Sequence, residues 1–225
     1  MRDVDAPVDP RATWDLPAPG AMARTAELEP LVTRVLAPNP SPMTLDGTNT
    51  YLVGAPGSGQ AVLVDPGPDD AAHLAAVEAA LAARGARCAG VLVTHHHGDH
   101  AEAALPWGCR FGAQVAAATT AVAGEAGRVL APGDRLRLAG TTLDVVATPG
   151  HTPGHQSVLV STGRERVLIT GDLLVHALQL LHPDVAYAHE VDPARARETR
   201  VRLLSGLSGG GVLATPHLSR AFVSI

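Results

Sequence analysis

The 225-residue chain contains no lysine: its 17 basic residues are all arginines. That excludes Schiff-base catalysis and a phosphate-binding P-loop, both of which need a lysine amine. Cysteine is scarce, and the two present, Cys88 and Cys109, form neither a metal-binding spacing nor a disulfide framework. Aromatic residues make up 3% of the chain and its formal net charge is −5. A basic groove lined with stacking rings, which single-stranded nucleic acid requires, is therefore disfavoured. No run of about 18 apolar residues occurs, so no membrane span is expected. The opening MRDVDAPVDPRATWDLPAPG is broken by acids and prolines where a secretory leader carries an apolar stretch of about 7–15 residues. The expected location is cytoplasmic.

What the chain does have is enough apolar residue for a core, 46% of its length, and room for one large domain. Residues 1–30 are rich in proline and alanine and read as a loosely ordered arm, with a single domain over 31–225. Short β-like runs follow, LVTRVLA at 31–37, NTYLVG at 49–54 and AVLVD at 61–65, separated by turn clusters as in an antiparallel meander. Residues 69–84 switch to helical spacing, with Leu74, Val77 and Leu81 on one face and Gly85 at the C-terminal cap. Buried strand AGVLVT at 89–94 leads into HHHGDH. A short helix near 99–105 and strands at 113–118, 135–138, 141–148, 157–162 and 166–172 come next. A helix over about 193–207, capped by Asp192 with Pro193 in its first turn, precedes a strand at 211–215. This order predicts an α/β fold of two sheets with helices outside.

Histidine is the over-supplied residue. The chain has eleven, and four of them lie between positions 95 and 100. His95 and His97 are two residues apart at the end of a strand, so both imidazoles point the same way and reach one ion. After Gly98 the chain can turn into a helix and aim Asp99 and His100 at a second point. Imidazole and carboxylate in this density favour zinc.

The segment THHHGDH at 94–100 resembles the H-x-H-x-D-H signature of the metallo-β-lactamase-fold hydrolase superfamily, and His151 in TPGHTPGH, Asp172 in TGD and His217 in ATPH match it in order. The resemblance implies a four-layer αββα sandwich and two metal ions per chain, zinc first, with iron or manganese as alternatives. One ion would take His95, His97 and His151, the other Asp99, His100 and His217. Asp172 would bridge them, and Asp99 and Asp172 are the catalytic candidates. Local likenesses differ along the chain. PNPSPMTLDGTNTYLVG with VDPGP is similar to the β-lactamase-like-2 group, whereas HPDVAYAHEVDPARARETRVRLL is similar to lactonase and methyl-parathion-hydrolase relatives.

Several neighbours have expected supporting roles. Asp65, at the end of a strand, would bond the metal-loop backbone or a ligand histidine, and His155 would orient a ligand. His96 would face away from its neighbours, and His73 would be solvated on its helix. His176 and His182 are candidate substrate contacts in the segment after Asp172, with His189 beside them. Arg197 and Arg200 fall on the apolar arc of the last helix and call for a carboxylate partner among Asp184, Glu190 and Asp192. The function these features imply is hydrolysis of a small ester, thioester or lactone by hydroxide bound at a dinuclear metal site. The alternatives are an endoribonuclease or phosphodiesterase of the β-lactamase-like-2 type and a mononuclear iron enzyme like the persulfide dioxygenases. A small molecule is the expected partner, and the arm crossing to a neighbouring subunit would give a homodimer.

Overall fold

A computed structural model describes residues 21–28, 31–161, 166–207 and 211–224. The first sheet is built from β1 (Thr25–Leu28), β2 (Val32–Leu36), β3 (Asn49–Val53), β4 (Gln60–Val64), β5 (Arg87–Leu92), β6 (Val115–Ala117) and β7 (Arg128–Val129), in that spatial order. Its first four strands form the antiparallel meander, and β4 to β7 run parallel. The parallel part requires crossovers on one face, supplied by α1 (Ala71–Ala83) and by α2 (Gly98–Ala101) with α3 (Ala104–Phe111); α4 (Thr120–Ala123) lies between β6 and β7. The second sheet holds β8 (Arg135–Leu138), β9 (Thr141–Ala147), β10 (Gln156–Ser161), β11 (Arg166–Ile169), β12 (Val212–Ala214) and β13 (Phe222–Ser224), ordered β13-β12-β11-β10-β9-β8. Its one parallel pair is β11 with β12, separated in sequence by α5 (Leu178–Leu181) and α6 (Pro193–Leu207).

Alternation along each strand explains the layering. Tyr51 and Val53 of β3 face inward with Val62, Val64 and Leu92, and meet Leu143, Val145, Val158, Val160 and Ile169 of the second sheet. Leu52 points the other way, into a second core with Leu63, Val77, Leu81, Val91, Val93 and Trp107 beneath α1 and α3. Leu168, Leu173, Leu174 and Leu213 form a third cluster under Leu203 and Leu204 of α6. Helix, sheet, sheet, helix is the αββα order expected, and covering both sheet faces is why β3 is buried throughout.

Local signals for the helix ends hold. Asp70 caps α1 through the His73 backbone N–H. Gly85 leaves α1 at φ +58, and the Ala86 N–H returns to the Leu81 carbonyl at 3.0 Å. Asp192 Oδ1 accepts from the Arg195 N–H at 3.0 Å. The 1–30 arm is described only over 21–28, where residues 25–28 are the edge strand β1; its other residues lie outside the described ones. Strands β1, β7 and β13, and helices α4 and α5, are additions to the sequence reading, each four residues or fewer, and the short helix expected near 99–105 is instead α2 followed by the eight-residue α3, which runs on to Phe111. His73 departs from expectation. It is fully buried, because the first turn of α1 is covered: its Nε2 is 2.9 Å from Thr50 Oγ1 and its ring lies 5.4 Å from that of Trp107.

Candidate metal centre

Loops at the carboxyl ends of β4, β5, β11 and β12, with the β9–β10 connection, converge at one end of the sandwich. Beyond β5, the His95 Nε2 and His97 Nδ1 atoms lie 3.1 Å apart, and the β9–β10 loop brings His151 Nε2 to 3.0 Å from the same His97 atom. Asp172, just after β11, puts Oδ2 at 3.3 Å from His151 Nε2 and 3.8 Å from His95 Nε2. Its other oxygen, Oδ1, is 3.1 Å from His100 Nε2 and 3.3 Å from His217 Nε2. Asp99 Oδ2 completes that second group, 3.3 Å from His100 Nε2 and 3.6 Å from His217 Nε2. Two clusters of atoms that could each hold a metal ion thus share one carboxylate.

The spacing suits metal coordination. Four ligand atoms at about 2.0–2.1 Å from a tetrahedral zinc stand about 3.3 Å from one another, and these contacts straddle that value. His100 Nε2 and Asp172 Oδ1 are buried and without a hydrogen-bond partner although they face each other, the situation a cation between them relieves. Electrostatics agree. Burial opposes a charge on His100, but Asp172, Asp65 and Asp99 outweigh it and raise its pKa well above the ordinary value. The site favours positive charge there. Burial pushes the His95, His97 and His151 imidazoles below their ordinary pKa, His151 to about 4, leaving lone pairs free. Burial opposes ionisation of Asp99 too, but His100 carries it down to about 2.

Hydrogen bonds behind the cluster fix the rings. Asp65 sits at φ +51, a left-handed conformation that aspartate tolerates. Its Oδ1 accepts from the Thr94 backbone N–H at 2.7 Å, and its Oδ2 from Thr94 Oγ1 at 2.8 Å and His100 Nδ1 at 2.9 Å. Asp65 therefore bonds both the Thr94 backbone and His100. A proton on His100 Nδ1 leaves Nε2 bare towards Asp172 and Asp99. Thr48 Oγ1 donates to Asp99 Oδ2 at 3.1 Å, and the Gly47 carbonyl lies 3.3 Å from His217 Nδ1.

His155 stands behind this shell, its Nδ1 2.7 Å from Thr148 Oγ1 and its ring 5.0 Å from that of His95. Burial, then His151, lowers its pKa to about 3. Gly171 makes the approach possible. It has φ +52, and a Cβ there would lie 2.8 Å from both His155 Nε2 and Thr94 Oγ1, so only glycine admits the turn that delivers Asp172.

The remaining candidates lie elsewhere. His96 is exposed, as are His176 and His182; His176 Nδ1 accepts from the Leu178 backbone N–H at 3.1 Å, and neither of the last two joins the cluster. Arg200 is buried and paired with Glu190 at 2.8 Å, while Arg197 is exposed. Tyr187 was not singled out by the sequence. Its ring lies over His151, with centroids 6.2 Å apart and planes 24° apart. Its only signal is being one of the chain's two tyrosines and lying in the segment after Asp172 expected to offer substrate contacts.

A family model described as the metallo-beta-lactamase superfamily matches residues 43–205. A hydroxyacylglutathione hydrolase from Acidiphilium cryptum (strain JF-5) is 45% identical over 103 residues, covering 45% of this chain and 40% of the relative. An atrochrysone carboxyl ACP thioesterase from Paecilomyces divaricatus is 31% identical over 177 residues, covering 78% of this chain and 55% of the relative. The chain therefore spans about half the length of such curated relatives. The crystal structure of ETHE1 from Myxococcus xanthus shares the fold, with a TM-score of 0.67 at 24% identity, covering 86% of this chain and 79% of that one.

Proposed function

This chain belongs to the metallo-β-lactamase superfamily, and from that premise we propose that it hydrolyses a small ester, thioester or lactone at a dinuclear metal site. The observation that carries the reading is Asp172, which offers one carboxylate oxygen to each of two clusters. His95, His97 and His151 would hold one ion, Asp99, His100 and His217 the other, and Asp172 would touch both. Zinc is the assignment its nitrogen and carboxylate donors support, two ions per chain. When bound, such a pair supplies water with a pKa lowered towards about 7 and a Lewis acid for the scissile carbonyl.

The chain's own groups set the conditions for that chemistry. Asp65 fixes the His100 tautomer, and Thr48 orients the Asp99 carboxylate. Asp99 is the most open member of the second cluster, with its side chain 27% exposed against 0% and 1% for those of His100 and His217. It is ionised across the neutral range, so it would offer the second ion an anionic ligand. Among the bond types, the thioester comes first, because a thioesterase is among the relatives. No lysine, serine or cysteine nucleophile is required.

The test is removal of metal with a chelator and return of zinc, followed by rates on a thioester, an ester and a lactone. Activity is expected to vanish, to return with zinc, and to be absent in His97→Ala and Asp172→Ala protein. Undiminished hydrolysis in either variant sinks the reading.

A further inference from the structure

The segment between Asp172 and α6 has little regular structure, yet it is anchored from two sides. The Arg200 guanidinium, 1% exposed, spreads beneath it. Its Nε donates to the Pro183 carbonyl at 2.7 Å, its Nη2 to Val185 at 2.9 Å, and its Nη1 to Leu173 at 3.1 Å and to Glu190 Oε1 at 2.8 Å. Gln179 Nε2 adds a bond to the Val185 carbonyl at 3.1 Å. On the other side, the Val191 and Asp192 backbone N–H groups donate to the His151 and Gly150 carbonyls at 3.1 and 2.9 Å. A planar fork that satisfies several carbonyls at once holds a loop in one shape. The second anchor ties that loop directly to the His151 backbone.

Tyr187 stands between these anchors. Its ring is stacked on His151 and flanked by His189, with centroids 5.2 Å apart. It is partly exposed, and among the described residues nothing forms a hydrogen bond with its hydroxyl. A tyrosine hydroxyl is a neutral O–H donor at physiological pH. At 6.2 Å from the His151 ring, Tyr187 stands beside the cluster but outside the ligand set, with its hydroxyl unpartnered among the described residues. Tyrosine suits a binding role because a rigid ring with a polar tip gives contact area and a directed bond at low entropic cost.

We propose that Tyr187 contacts the substrate as a specificity residue, its ring walling the cleft on the His151 side and its hydroxyl donating to an oxygen of a planar acyl group. Arg200 and Glu190 act as positioning residues for that wall. The proposal rests on the hydrolase reading for the acyl substrate, but its central contact is measurable without turnover.

The experiment uses the zinc-loaded full chain and its Tyr187→Phe and Tyr187→Ala variants. Benzoate and acetate binding are measured by calorimetry, hydrolysis of S-ethyl thiobenzoate and S-ethyl thioacetate is followed, and zinc per chain is counted. Tyr187→Phe should weaken both acids by about fivefold, the worth of one hydrogen bond, and keep the benzoate preference. Tyr187→Ala should also cut that preference about tenfold, the worth of an aromatic contact, and raise KM for the thiobenzoate more than it lowers kcat. Zinc content should not change. Affinities within about twofold of wild type for both acids in both variants, or loss of zinc from the variants, overturn the proposal. If wild type binds the acids in the expected pattern and hydrolyses neither thioester, the hydrolase reading falls and the contact stands. If hydrolysis proceeds and the variants are indifferent, the contact falls and the hydrolase reading stands. Neither binding nor turnover overturns both.

Discussion

Asp65→Asn separates the residues behind the site from those in it. The carboxylate receives three donors: the Thr94 N–H, the Thr94 hydroxyl and His100 Nδ1. An asparagine keeps an acceptor for the Thr94 N–H, but its amide then faces His100 Nδ1 with a donor. Imidazole relieves that clash by moving its proton to Nε2, the atom aimed at Asp172 and Asp99, and this removes a lone pair from the second cluster. Replacing a partner behind a ligand histidine weakens metal binding by about 10–100-fold, or about 1.4–2.8 kcal/mol at about 1.4 kcal/mol per tenfold. The effect should fall mainly on one ion. His97 and His151 keep their surroundings, and His95 is reached only through the Thr94 hydroxyl, 3.1 Å from its Nδ1, so a competition titration against a chromophoric chelator should show one site weakened clearly more than the other. Two sites of wild-type affinity would show that Asp65 does not set the His100 tautomer, and equal weakening of both would show that the two clusters are not independently supported.

Three further outcomes follow from particular contacts. Burial lowers the His73 pKa from 6.5 to about 4, so the unfolded chain binds the extra proton between those values, and stability falls as pH drops through 6.5 until the loss is complete below about 4. The difference is about 3 kcal/mol at 1.36 per unit, and urea unfolding of His73→Phe should show that much less acid dependence than wild type. Gly171→Ala, whose Cβ would lie 2.8 Å from His155 and Thr94 atoms at φ +52, should lose about 1–3 kcal/mol in denaturant unfolding and most of its metal. Glu190→Gln, which leaves the Arg200 charge buried without its carboxylate, should cost about 3 kcal/mol, read in the same unfolding assay; a change under about 0.5 would mean the three carbonyls alone suffice.

Most strands of the two sheets, with α1 and α6, were legible because their signals are local. Apolar runs bounded by turn clusters mark the strands, helical spacing marks α1 and a capped start marks α6. The cluster was legible for a different reason: His95, His97, Asp99 and His100 are adjacent in sequence, so their convergence needs no tertiary contact. Tyr187 reaches His151 through the Arg200 anchor and the Val191 bond to the His151 carbonyl, and no pattern within 173–192 encodes either. His73 shares the limitation. Its burial comes from Thr50 and Trp107, distant in the chain, and the helix's own apolar spacing places Leu74, Val77 and Leu81 on the core face without it. Arg197 and Arg200 differ by about 60° around α6, enough for one to enter the interior beside Glu190 while the other stays in water.

The central claim is a pair of ions joined by Asp172. Metal per chain, counted by mass spectrometry on wild type and Asp172→Ala after equilibration with zinc, tests it most directly. Two ions in wild type and one or none in the variant are predicted. Two ions retained without Asp172, or a single iron in protein purified without added metal, would contradict it.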